Sequence, residues 1–156
     1  GEAVRLVLKD TYSAIEEAKA DISGLWALQQ LADKGVISKA VADSMYTTFL
    51  ASGFRSIRFG VTEAHGKGVA LQVNDLLDRG AFVVNADGTF AVVDAKIRDA
   101  VAGLTHDLMT IEAEGQYDAA QALLAKAVTI RPEVQRVLDK LKGVPVDIEP
   151  AFAPIK

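Results

Sequence analysis

The sequence predicts a mainly α-helical fold, a multi-helix domain with one small β-hairpin. Apolar residues recur at helical spacing along most of the chain. Two short β-prone runs flank the turn sequence Asn-Ala-Asp-Gly, which is typical of a hairpin. Hydrophobic residues make up 50% of the chain but aromatic residues only 6%, so the core should be aliphatic. The length of 156 residues fits one domain spanning 1–156.

The first helix is expected to begin near Val4 and to stop at Gly35, because apolar residues recur at helical spacing up to Leu31. Gly24, inside this helix, indicates either a kink or close packing against a neighbour. A second helix should follow Ser38, a capping residue, and reach Ile57. A third should extend from about Thr62 to Gly80.

The hairpin is expected next, with strands at 81–84 and 89–93 joined by the turn 85–88. Two strands alone are marginally stable, so this hairpin must lean on the helices. Three more helices are predicted, at 94–115, 116–128 and 132–142. The proline-containing tail, 143–156, should be either extended and packed on a neighbour or loose.

Composition excludes several classes of function. The chain has no cysteine, which rules out disulfides and thiolate zinc sites and fits a cytoplasmic protein. The net charge of -4 argues against nucleic-acid and anionic-membrane partners. No apolar run approaches the ~18 residues of a membrane span, and the N-terminus is not a signal peptide. Because the chain opens without Met, we expect it to be a piece of a longer protein.

An acidic run within the first helix is the leading candidate site. Glu17 and Asp21 are four residues apart and therefore share a helix face. A solvated face with a Glu16–Lys19 ion pair is the common explanation of such a run. Apolar sequence flanks the run, however, and the single Trp of the chain, Trp26, lies a turn beyond it. Partly buried carboxylates usually need a partner or a metal ion.

The run resembles the second signature of the dipeptidyl peptidase III family of zinc metallopeptidases, E-E-C-R-A-E, in a bacterial member. Its residues are Glu16-Glu17-Ala18-Lys19-Ala20-Asp21. The resemblance implies that Glu17 is the third zinc ligand, while Glu16 and Asp21 orient two ligating histidines. Zinc held by two His and one Glu keeps a position open for water. Sequences at 45–68 and 130–152 also resemble bacterial members.

Three positions depart from the family signature: Ala18 replaces Cys, Lys19 replaces Arg and Asp21 replaces Glu. Asp21 is a methylene shorter, which brings its reach to a histidine into question. The first family signature, H-E-x-x-G-H, is absent, since His65 and His106 are the two histidines of the chain. The resemblance therefore implies a C-terminal fragment that binds no zinc tightly by itself, with the histidine pair in the remainder of the parent protein.

His65 lies in the run Glu63-Ala64-His65-Gly66-Lys67-Gly68. Glycines at 66 and 68 weaken a helix by roughly 1 kcal/mol each, and they permit close backbone approach to a substrate or to another helix. An exposed histidine at a frayed helix start is the plain interpretation. The resemblance implies instead a catalytic histidine that stabilises the tetrahedral intermediate. Val69 stands where better-known members carry Arg, and Lys67 is the candidate substitute for substrate binding.

Arg55 and Arg58 share a helix face, where they could bind a substrate carboxylate or neutralise the acidic run. The alternative is an exposed basic face near a helix C-terminus. His106 lies on an ordinary amphipathic helix and is expected to be structural.

Two functional hypotheses follow. In the first, the chain is the C-terminal portion of a zinc-dependent peptidase that acts on short peptides, and the isolated chain is inactive. In the second, it is a non-catalytic helical interaction or regulatory module of a peptidase-like protein, since some relatives join such a scaffold to a Nudix hydrolase domain.

Overall fold

The computed structural model describes residues 1–145, and the predicted fold class, helical with one small hairpin, is confirmed. A single 3₁₀ turn, Lys9–Thr11, connects the first two helices. The α-helices of this part of the chain are α1 (Val4–Leu8), α2 (Tyr12–Asp33), α3 (Lys39–Ile57), α4 (Ala64–Asp78), α5 (Asp94–Glu114), α6 (Tyr117–Ala127) and α7 (Pro132–Lys140). The strands are β1 (Phe82–Val84) and β2 (Phe90–Val92).

The first helix is broken near its start, which the apolar spacing did not predict. Lys9 ends α1 with φ 51° and ψ -126°, a conformation that residues with a side chain rarely adopt. Two contacts hold this turn: the Thr11 hydroxyl donates to the Leu8 carbonyl at 2.6 Å, and the Lys9 ammonium lies 4.7 Å from the centre of the Tyr117 ring. One local hydrogen bond and one tertiary contact therefore accompany the break in a sequence that is helical by local pattern.

Three other helix ends follow the expected chemistry. The Ser38 hydroxyl accepts a hydrogen bond from the Val41 N–H at 3.4 Å and caps α3. Gly115 ends α5 in the left-handed conformation, φ 64°, which a glycine adopts without strain. Pro132 occupies the first turn of α7, where its missing N–H is not needed.

The hairpin is antiparallel, with Val83 opposite Ala91. It leans on the helices as expected, because Phe82 is fully buried and the Phe90 ring meets the Phe54 ring of α3 edge-on at 4.9 Å. The backbone N–H of Val93 donates to the Ala81 carbonyl at 2.8 Å and extends the pairing.

Helix α4 lies at the centre of the packing, since it contacts α2, α3, α5, α6 and β1. It also buries two amide side chains that bind other segments. Gln72 donates to the Ala18 carbonyl of α2 at 2.9 Å. Asn74 donates to the carbonyls of Ala127 at 2.7 Å and Thr129 at 2.8 Å. These bonds tie α4 to α2 on one side and to the end of α6 on the other.

Within residues 1–145, no helix combines the length and the apolar character that crossing a bilayer requires. The tail at 143–156, predicted to be either extended or loose, falls mostly outside the described residues, which end at Pro145.

Candidate functional site

The site begins with an unusually close contact between α2 and α4. A Cβ atom placed on Gly68 of α4 would lie 2.9 Å from the backbone nitrogen of Ala18 and 3.1 Å from the Cβ of Glu17. Gly66 has a similar restriction, with the Gly60 carbonyl oxygen 2.2 Å from its hypothetical Cβ. The glycines of this run therefore serve close backbone approach, here between parts of the chain.

This contact brings Glu17 and His65 together from positions 48 residues apart. His65 Nδ1 lies 3.3 Å from Glu17 Oε2, and His65 Nε2 lies 3.3 Å from the Ser56 hydroxyl on α3. A carboxylate only accepts, so Nδ1 carries the proton in this contact, and Nε2 can accept from the hydroxyl. Both side chains are about half exposed, 54% for His65 and 47% for Glu17, so solvent and ligands can reach them.

Next to this pair, an open groove of about 610 Å³ runs between α2 and α3, with α4 as its floor. Asp21 and His65 both line it, whereas Glu17 is not a lining residue and reaches the groove edge through its contact with His65. Its apolar lining consists of Leu25, Leu28, Val41, Met45, Phe49, Val69 and Val73. The α3 wall carries a row of hydroxyls four residues apart, Ser44, Thr48, Ser52 and Ser56.

Of the two alternatives that the sequence left open for Gly24, a kink and close packing, the structure excludes close packing. Helix α2 continues through it, and no atom lies within 4 Å of the place where its Cβ would be. Gly24 lines the groove instead, where the absence of a side chain leaves the α2 wall open.

Glu16 is not a lining residue of this groove, and Lys19 links it to α5. Lys19 donates to Glu16 Oε2 and to Glu112 Oε2, each at 2.7 Å. Burial raises the pKa of the Glu112 carboxyl above its usual value, although its bond from Lys19 opposes this, and the nearby Glu16 carboxylate adds to the rise. The hydrogen bond from Lys19 lowers the pKa of Glu16. The two acids therefore differ in proton affinity, because burial is the largest influence on the pKa of Glu112 and the hydrogen bond from Lys19 is the largest on that of Glu16.

The proposed substrate-binding cations do not gather at the groove. Arg58 donates to the backbone carbonyls of Leu141 at 3.2 Å and Val144 at 2.9 Å, beyond the end of α7. Arg55 is exposed, and Lys67 is half-buried; neither lines the groove. The side chain of His106 on α5 is 79% exposed, and its Nδ1 lies 3.5 Å from Asp107 Oδ1.

The described residues alone do not complete a zinc site. They contain no group of three or more His, Cys, Asp or Glu side chains placed to hold one ion. Glu17 nevertheless fits the part of a single oxygen ligand, because its carboxylate is half exposed and its close partner is a histidine instead of a Lys or Arg. A set of three protein ligands would therefore need side chains from outside residues 1–145.

Two residues of this region escaped the sequence analysis. Ser56 had a signal, since the four hydroxyls of α3 recur at helical spacing and share one face. The sequence contains no signal for Glu112, because its partner Lys19 is 93 residues away and no local pattern links α5 to the acidic run.

Comparison with known proteins agrees with the resemblance drawn from the acidic run. No family model matches the chain. A solved structure of dipeptidyl-peptidase III from Corallococcus sp. strain EGB is 63% identical, with a TM-score of 0.91, over 95% of this chain and 28% of that one. DPP III from Caldithrix abyssi is 40% identical, with a TM-score of 0.91, over 96% of this chain and 29% of that one.

A third relative carries a different name. Nudix hydrolase 3 of Arabidopsis thaliana is 54% identical over 151 residues, which are 96% of this chain and 20% of that protein. The chain thus spans between a fifth and three tenths of the relatives that it matches. In sequence and in fold, the chain is similar to a segment of the dipeptidyl-peptidase III structures.

Proposed function

We propose that this chain is one helical domain of a zinc-dependent peptidase that acts on short peptides, corresponding to the C-terminal portion of the enzyme. The observation that carries the proposal is the 3.3 Å contact between Glu17 and His65 at the edge of an open groove. Two chains named dipeptidyl-peptidase III share the fold at a TM-score of 0.91, which supports a peptide substrate. A cytoplasmic location remains a prediction from composition.

In this proposal Glu17 is the carboxylate ligand of the zinc ion, and Asp21 and Glu16 orient histidines supplied by the rest of the protein. Bound zinc would activate water and polarise the scissile carbonyl. His65 lies next to Glu17, and its Nε2 faces the groove side at Ser56, so it can supply a hydrogen bond to the developing oxyanion once it carries a proton there. Arg55, Arg58 and Lys67 stay predictions as substrate-binding groups, of which Arg58 already binds two backbone carbonyls.

The test uses the full-length protein that contains this segment, with zinc content and hydrolysis of a dipeptide naphthylamide measured separately. We expect Glu17→Gln to lose zinc on dialysis. We expect His65→Ala to keep its zinc while kcat falls about 10²–10³-fold, the usual effect of losing one oxyanion donor. The matched control is His106→Ala, because His106 is an exposed histidine on another helix.

The proposal fails if Glu17→Gln retains full zinc, or if His65→Ala and His106→Ala have equal activity. The 156-residue chain alone should hydrolyse nothing and bind zinc weakly, since one certain ligand is too few. Robust turnover by the chain alone would contradict the division of the site between two segments.

A second candidate is a non-catalytic interaction or regulatory module of a peptidase-like protein. The 54% identity to a segment of Nudix hydrolase 3 favours it, together with the apolar lining of the open groove. Sequence upstream of this segment discriminates the two candidates: an intact H-E-x-x-G-H motif favours the peptidase, and a degraded one favours the module.

A further inference from the structure

Lys19 joins two helices through two carboxylates. Its ammonium lies 2.7 Å from Glu16 Oε2 on α2 and 2.7 Å from Glu112 Oε2 on α5. Exposure falls along this bridge, from 38% at the Glu16 side chain through 23% at Lys19 to 12% at Glu112. The bridge is therefore anchored in the interior at its α5 end and reaches the surface at the acidic run.

Burying the carboxylate of Glu112 at this position costs desolvation free energy. Its second oxygen, Oε1, is buried and has no hydrogen-bond partner within residues 1–145. Replacing a whole buried ion pair by apolar residues of similar size is often neutral or stabilising, so such a pair is weak evidence for stability. A contribution to stability is therefore a weak reason for a carboxylate at position 112.

We infer that Glu112 is a positioning residue that acts through Lys19 on Glu16, an inference that rests on the proposed function. A lone Glu16–Lys19 pair three residues apart would be a mobile surface pair. Held by Glu112 as well, the ammonium has one position, and the Glu16 carboxylate follows it. Glu16 adjoins the proposed ligand Glu17, so α5 sets the orientation of the acidic run without touching the metal.

The first arm of the test needs no metal. Carboxylate-detected NMR of the 156-residue chain should show a more mobile Glu16 side chain in Glu112→Leu and in Lys19→Met. Lys19→Arg should restore its order, because a guanidinium can bridge two carboxylates. The control is Asp33→Asn, which breaks the Arg98–Asp33 ion pair, another link between α5 and α2 that lies far along the helix from Glu16. Unchanged Glu16 mobility in Glu112→Leu would overturn the inference.

The second arm measures zinc affinity of the full-length protein by chelator competition, alongside urea unfolding. We expect Glu112→Leu to weaken zinc binding about tenfold or more, as loss of supporting contacts does at other metal sites. Its stability should change little, because Lys19 keeps Glu16 as a partner and the leucine removes a buried oxygen that has no hydrogen bond. A merely structural role predicts that affinity and stability fall together, and such a result would refute the inference.

The two arms separate this inference from the proposed function. If the wild-type protein binds no zinc, the proposed function is contradicted, and the inference that rests on it is contradicted too. A wild-type protein that binds zinc, with unchanged affinity in Glu112→Leu, removes the inference and leaves the proposed function standing.

Discussion

At the scale of single residues, buried amides on α4 fix its neighbours. Gln72 and Asn74 are each 1% exposed, and each donates to backbone carbonyls of another segment. Buried polar groups are stable only when they are hydrogen-bonded, so each amide specifies one arrangement of the helices around α4.

Asn74→Ala should lower the free energy of unfolding by about 1–3 kcal/mol, because the carbonyls of Ala127 and Thr129 lose their donor. Urea unfolding followed by circular dichroism measures this change. Asn85→Ala is the matched control, since the Asn85 amide bonds only the Thr89 hydroxyl in the exposed hairpin turn. Equal effects of the two substitutions would show that burial of the amide is unimportant.

Residue-level prediction from sequence succeeded where the information is local. Helical spacing predicts the Glu16–Lys19 ion pair, and the structure contains it at 2.7 Å. It does not predict Glu112 as the third member, because that contact depends on how α5 packs. The roles assigned to Glu17 and His65 came from resemblance, since neither charge pattern nor periodicity distinguishes a ligand from a solvated acid.

At the scale of elements, the contact of α2 with α4 determines the candidate site. Gly68 lets the two backbones approach at Ala18, and His65 lies almost one turn before Gly68 on the same helix. Any side chain at position 68 must push the helices apart. The adjacent contact between Glu17 and His65 would lengthen first.

Gly68→Ala should therefore destabilise the chain by about 1–3 kcal/mol, despite the better helix propensity of alanine. Gly24→Ala is the matched control: it is also a helix-interior glycine but has open space around it, and we expect roughly 1 kcal/mol of stabilisation. Thermal unfolding gives both values, and the NMR shifts of the His65 ring should move in Gly68→Ala alone. Stabilisation by Gly68→Ala would mean that the helices can separate freely.

Element boundaries were predictable where a side chain or glycine marks them, as at Ser38 and Gly115. The break at Lys9 was not, because neither Gly nor Pro stands there and the turn is held by Tyr117, more than a hundred residues away. The groove was also unpredictable, since it depends on the spacing between α2 and α3 rather than on either helix.

At the scale of the whole molecule, ion pairs connect the end of α4 to the segments that follow α5. Asp78 accepts from Arg131 at 2.6 Å and lies 3.2 Å from the Lys126 ammonium. Burial raises the pKa of Asp78, but the hydrogen bonds from Arg131 and Lys126 outweigh it, so the pKa is lower than the ordinary 3.8. Asp78 thus favours the folded state when it is ionised.

Because the pKa of Asp78 is lowered, the stability of the folded state should fall as the pH falls. The contribution of Asp78 is complete above the unfolded pKa of 3.8 and is lost as the pH falls through the lower folded value. We expect Asp78→Asn to be less stable than wild type at pH 7, with the difference shrinking below about pH 4. Urea unfolding across this range measures it. Asp43→Asn, which removes an exposed pair with Lys39, should differ little from wild type throughout. If the free energy of unfolding of Asp78→Asn stays equally far below that of wild type in strong acid, the charge of Asp78 is not the cause of the difference.

The absence of a side chain at Gly68 has a consequence for engineering this protein. Main-chain atoms of two helices meet there directly, so the gap between the backbones that carry Glu17 and His65 is set by this contact and not by side-chain rotamers. Substitutions in the aliphatic core away from Gly68 can then raise the melting temperature without changing this separation. Conversely, a designer who wants a wider or narrower gap has to alter the backbone contact itself.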